Sequence, residues 1–134
     1  MGLLNATAAD PRELIDKHGE ALTDGETVYF AYKTVRDYIA FTNWRVLYIN
    51  VQGLTGSKRE YLTVPYRSIT AFSIETAGTF DLDAELSIYL SGHDGIEFKV
   101  GRNTDVRGLQ TFLAKKLDPE IGRASCRERV LYTV

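Results

Sequence analysis

Residues 27–64 read TVYFAYKTVRDYIAFTNWRVLYINVQGLTGSKREYLTV, and the period of this stretch decides the fold. Val28, Phe30 and Tyr32 alternate with Tyr29, Ala31 and Lys33. A period of two places alternate side chains on opposite faces of a half-buried strand. Arg36-Asp37 marks a tight connection, Asn43-Trp44 separates residues 38–42 from 45–51, and Gly53 and Gly56 turn the chain back into 58–64. Glycine suits such loops because it adopts positive φ without steric cost. Working outward, Pro65 has no N–H to give a ladder, so it ends that strand and re-aims the chain into 68–76. Segments 85–90 and 96–100, joined by a turn at Gly92-His93-Asp94-Gly95, complete seven short strands. Short connections of this kind predict an antiparallel meander.

Helical period appears only at the two flanks. Asp10-Pro11-Arg12-Glu13 predicts a helix over 11–18, with Asp10 as the cap, Pro11 in the first turn and Glu13 completing a capping box. Leu14, Ile15, His18 and Leu22 are expected on its apolar face. A final helix, capped by Asn103 or Thr104, carries Val106, Leu109, Phe112, Leu113 and Leu117 as an apolar stripe, with Lys115 and Lys116 outward. The expected fold is mainly β: a seven-stranded antiparallel barrel or two-sheet roll, each strand burying one face, plugged by the C-terminal helix and preceded by a short N-terminal one.

The 134 residues carry 16 Lys+Arg against 18 Asp+Glu, a net charge of −2. A near-neutral chain without a basic block has no footprint for nucleic acid and argues against membrane association, since both depend on neutralising several phosphates together. No apolar run approaches the ~20 residues of a membrane span, and Ala6 stands where a myristoylation signal wants Ser or Thr. The single cysteine cannot form an internal disulfide, and the expected compartment is the cytoplasm. From Glu120 the chain reads EIGRASCRERV, which looks like the in-frame translation of a sequencing adapter. The domain is therefore expected over 1–119, with 120–134 a non-native, disordered tail, and Cys126 is read neither as nucleophile nor as ligand.

No catalytic constellation stands out. His18 and His93 have no Ser or Cys beside them in a nucleophile setting, and Gly53-Leu54-Thr55-Gly56-Ser57-Lys58 departs from a phosphate-binding loop because the Ser precedes the Lys and a strand follows. The expected protein is non-catalytic, with no cofactor and no metal. Two candidate surfaces remain. Lys33, Arg36, Arg45, Lys58 and Arg59 fall near loop ends, where converging cations would take a small anionic ligand or a phosphate headgroup. Phe80, Asp81, Leu82, Asp83 and Glu85 alternate so that the acids share one face, a pattern suited to a contact with Lys or Arg of a neighbouring copy. Three carboxylates there could also hold a cation, but they lack the amide and glycine pattern of an EF-hand loop.

Arg36-Asp37, the Thr42 to Arg45 turn, Gly53-Leu54-Thr55-Gly56, Val64-Pro65-Tyr66 with Ile69, and the run from Glu75 to Asp83 together carry a resemblance. Over residues 2–117 the chain resembles the bacterial pleckstrin-homology family, short proteins formerly known only as a domain of unknown function. The resemblance implies a PH-like barrel with a capping helix and a tendency to assemble into symmetric homo-oligomers. The expected function is accordingly a non-catalytic binding or scaffold module whose main partner is itself, in a ring larger than a dimer, with other proteins as further partners. The alternative is a binder of a small anionic ligand.

Overall fold

In the computed structural model, which describes residues 4–76, 78, 83–101 and 104–117, a short early strand joins the two halves of the sheet. This strand, β1 (Leu4–Ala8), pairs antiparallel with β2 (Val28–Lys33) and parallel with β8 (His93–Val100). Between them run β3 (Tyr38–Thr42), β4 (Arg45–Gln52), β5 (Lys58–Pro65), β6 (Ile69–Thr76) and β7 (Ala84–Leu90). The spatial order is β5-β4-β3-β2-β1-β8-β7-β6. The described residues thus form eight strands rather than seven, and the antiparallel pattern is broken once, at β1–β8. Residues LNATA have no run of β-branched or aromatic side chains to announce a strand. They become one because β2 and β8 would otherwise each leave a row of backbone donors and acceptors unpaired.

The β2–β3, β3–β4 and β4–β5 connections fall where Arg36-Asp37, Asn43-Trp44 and the glycines Gly53 and Gly56, in that order, place them. The β7–β8 turn is tighter than expected. Leu90 faces His93 across two residues, and Gly95 lies inside β8, beside a register shift, rather than in the turn. Its φ of +86° and the 2.5 Å that would separate an added Cβ from the Ile88 carbonyl oxygen explain the glycine. What reads as turn chemistry is the local kink of a bulged strand.

Helix α1 (Pro11–His18) spans the expected residues, with the Asp10 carboxylate accepting from the Arg12 amide at 2.9 Å. The capping box does not form. The Glu13 carboxylate instead accepts from the Tyr38 hydroxyl at 2.6 Å and from Lys33 at 3.1 Å, partners on the sheet beneath. Leu14 and His18 are buried, whereas Ile15 is about half exposed. Leu14 packs with Tyr38, Ala40, Leu47 and Ile49 in a second core on the outer face of β3 and β4. All five residues of β3 are therefore buried, so this strand does not bury one face only.

The inner face forms the main core, where Ile39, Phe41, Val46 and Tyr48 meet Leu86, Ile88, Ile96 and Phe98. Helix α2 (Val106–Leu117) closes it with Val106, Leu109 and Leu113 fully buried and with Phe112 and Leu117 packed at its margin. Lys116 does not face outward: its ammonium donates to the Asn43 carbonyl at 2.9 Å and sits 5.7 Å above the Tyr66 ring. Asn103 lies outside the described residues, Thr104 offers its carbonyl to the Val106 amide, and Asp105 caps the helix by accepting from the Gly108 amide at 2.9 Å. The stretch from Asp118 onward, including the tail from Glu120, also lies outside them.

Candidate functional site

Four of the five cations singled out for anion binding share one end of the sheet. The β2–β3 and β4–β5 turns meet there, because the Arg36 guanidinium donates to the Gly53 carbonyl. Lys58 and Arg59 open β5 beside them, and Lys33 closes β2. Half of this charge is answered locally by carboxylates. Lys33 is bonded to Glu13, and Arg59 lies 3.9 Å from Glu20. Asp37 binds the sheet rather than Arg36: its carboxylate accepts from the Val51 amide at 2.9 Å and from the Tyr48 hydroxyl at 3.1 Å. Lys58 and Arg36 remain exposed, with Val35 and Leu54 standing fully in solvent at the two loop tips.

The fifth cation belongs to another part of the molecule. Arg45 begins β4 at the opposite end, where its guanidinium grips Glu26 through two 2.8 Å bonds and reaches the Ala21 carbonyl and the Thr63 hydroxyl, each at 2.7 Å. The Glu26 carboxylate also accepts from the Thr42 hydroxyl at 2.7 Å and from the Thr23 amide at 3.1 Å. The Arg45 bonds above all hold its carboxyl down at about 2, because they favour the charged form and outweigh burial. Sequence reasoning missed this clip. Glu26 stands in an irregular segment without periodic signal, and only the fold brings it across to the β3–β4 turn.

The acidic segment is described in part. Phe80, Asp81 and Leu82 lie outside the described residues, while Asp83 is exposed just before β7. Glu85 points outward between buried Ala84 and Leu86, as the alternation predicts. Directly across from Glu85 lie Glu75 on β6 and Lys99 on β8. Among the described residues, strand β6 has β7 on one side and no neighbour on the other, and β5 ends the sheet in the same way at the opposite margin. The two margins differ in character: Lys58, Arg59, Glu60 and Tyr61 are exposed along β5, whereas the β6–β7 corner shows Glu75, Asp83 and Glu85. Among the described residues no three of His, Cys, Asp or Glu converge as metal ligands, and no helix is long and apolar enough to cross a membrane.

Comparison with known proteins agrees with this architecture. Among solved structures, a DUF1696 family protein with a pleckstrin-homology domain from Shewanella loihica PV-4 superposes with a TM-score of 0.69 at 41% identity, covering 87% of this chain and 99% of that one. A pleckstrin homology domain from Shewanella amazonensis SB2B gives 0.58 at 42% identity, over 81% and 89%. The uncharacterized protein YjqA of Bacillus subtilis (strain 168) is 47% identical over 116 residues, which span 84% of this chain and 93% of YjqA. The family model described as the bacterial PH domain matches residues 1–117, from β1 to the end of the plugging helix, and the chain belongs to that family.

Proposed function

We propose that this PH-like domain is a non-catalytic binding module that works as a homo-oligomer, the β5 margin of one copy lying against the β6 margin of the next. The observation that carries this reading is the like-charge pair at the open edge. Glu75 and Glu85 sit directly opposite one another, a placement that destabilises an isolated sheet unless cations answer it. Lys99 answers from one side only. Lys58 and Arg59, on the other margin of a neighbouring copy, supply the missing charge, and the unpaired backbone of two edge strands supplies the ladder. Contact between unlike margins is head-to-tail, and repetition with a closing rotation gives a ring larger than a dimer. Asp83 continues the acidic margin just before β7, and the sequence supplies a further acid, Asp81, two residues earlier.

Light scattering coupled to gel filtration tests this on the full chain. At high micromolar concentration the mass is expected to exceed that of a dimer. Glu75→Lys with Glu85→Lys should lower it without loss of circular dichroism, and so should Lys58→Glu with Arg59→Glu. Combining the two pairs in one chain restores complementary margins and should restore the mass. A monomer at high concentration, or a mass indifferent to both reversals, would refute the reading.

A second reading rests on the loop end, where Arg36 and Lys58 flank the exposed Val35 and Leu54. These cations suit a phosphorylated small molecule or a phosphate headgroup. An inositol phosphate should then raise the melting temperature by a few degrees in low salt, and Arg36→Ala with Lys58→Ala should abolish the shift. A shift that survives the double variant would remove these residues from the site.

A further inference from the structure

The face of α1 that meets the sheet contains an imidazole in an unusual setting. His18 ends the helix and is only 5% exposed, and its Nδ1 has no hydrogen-bond partner among the described residues. The ring sits edge-on between two tyrosines, 5.3 Å from Tyr38 on β3 and 6.4 Å from Tyr61 on β5. Neutral imidazole tolerates this apolar slot, whereas imidazolium there would bury a charge with no acceptor at Nδ1. The charged groups around the slot come from three elements. Lys17 and Glu13 lie on α1, Glu20 on the 3-10 turn that follows, and Arg59 on β5, 3.9 Å from Glu20. Burial, Arg59 and Lys17 disfavour the charged ring, and Glu20 opposes them.

Tyr38 connects this slot to the other end of the helix. Its hydroxyl donates to Glu13 while its ring packs on His18, so one side chain of β3 holds both ends of α1. The Glu13 side chain is 29% exposed and also bound by Lys33, and these bonds keep its carboxyl below the usual range. Both attachments therefore weaken in acid. The helix has eight residues, too few to persist in water without its tertiary contacts.

We infer that α1 is an acid-released flap whose trigger is His18: protonation of the ring detaches the helix from β3 and β4 and uncovers Tyr38, Ala40, Leu47 and Ile49 while the barrel stays folded. The sign follows from linkage. A histidine disfavoured from charging in the docked state adds stability that is complete at neutral pH and declines once the pH falls below its ordinary 6.5. The Glu13 contribution is lost at lower pH, below the ordinary 4.5 of its carboxyl.

Hydrogen exchange on the full chain, corrected for intrinsic rates, tests the device. Between pH 7.5 and 5.5 the protection of amides in α1 should fall, by up to the roughly tenfold limit for one proton across one pH unit, while that of β4 stays constant. His18→Phe keeps an apolar ring in the slot and should remove the pH dependence. Independently of any variant, the His18 imidazole followed by NMR in the wild-type chain should titrate below 6.5. A midpoint at or above 6.5, an unchanged α1, or equal loss of protection in α1 and β4 would overturn the inference, as would a pH response retained by His18→Phe.

Discussion

Arg45→Ala should lower the free energy of unfolding by about 3 to 5 kcal/mol, the cost of leaving one member of a buried ion pair without its partner. The Glu26 side chain is fully buried and the Arg45 side chain only 16% exposed, so solvent does little to replace what is lost. The same guanidinium also joins the Ala21 carbonyl to the Thr63 hydroxyl, tying the segment before β2 to β5. Urea unfolding at pH 7 measures the loss, and its pH dependence identifies the cause. Because the Glu26 carboxyl is lowered from 4.5 to about 2, the pair contributes about 3 kcal/mol that is fully present above pH 4.5. That contribution disappears as the pH falls toward 2. The wild type should therefore lose stability steeply over this window, and Arg45→Ala should show a much shallower loss. A variant within about 1 kcal/mol of the wild type at pH 7 would mean that the clip holds little.

The second large effect is expected at Phe98, where the two halves of the sheet meet. Phe98 is fully buried on β8, opposite Leu4 of β1 on one side and Leu86 of β7 on the other. Its ring lies 5.4 Å from Tyr32 on β2 and 6.5 Å from Phe41 on β3, so one side chain spans the join made by β1. Phe98→Ala should cost about 3 to 5 kcal/mol, through lost transfer energy and the cavity left among neighbours that cannot collapse. The urea midpoint should fall with an unchanged slope. Tyr89→Ala, at a side chain nearly half exposed on β7, should change stability by no more than about 0.5 kcal/mol and serves as the comparison. If the two substitutions cost the same, the inner core does not hold the halves together.

Local pattern alone determined much of this protein. The period of two from Val28 to Val64, the breakers between strands, the Asp10-Pro11 helix start and the stripe from Val106 to Leu117 each depend on residues close in sequence. Those elements appear in the structure at or near the expected positions. Strand β1 and the parallel β1–β8 pairing were decided only in three dimensions, because five weakly patterned residues become a strand when two unpaired edges flank them. The same holds for the roles of Glu13, Glu26 and Lys116. A charged side chain carries no period, and its partner is chosen by whichever group the fold brings within reach: Tyr38 at 25 residues' separation, Arg45 at 19 and the Asn43 carbonyl at 73. The cationic set shows both outcomes, since adjacent turns bring Lys33, Arg36, Lys58 and Arg59 to one end, while strand direction alone carries Arg45 to the other.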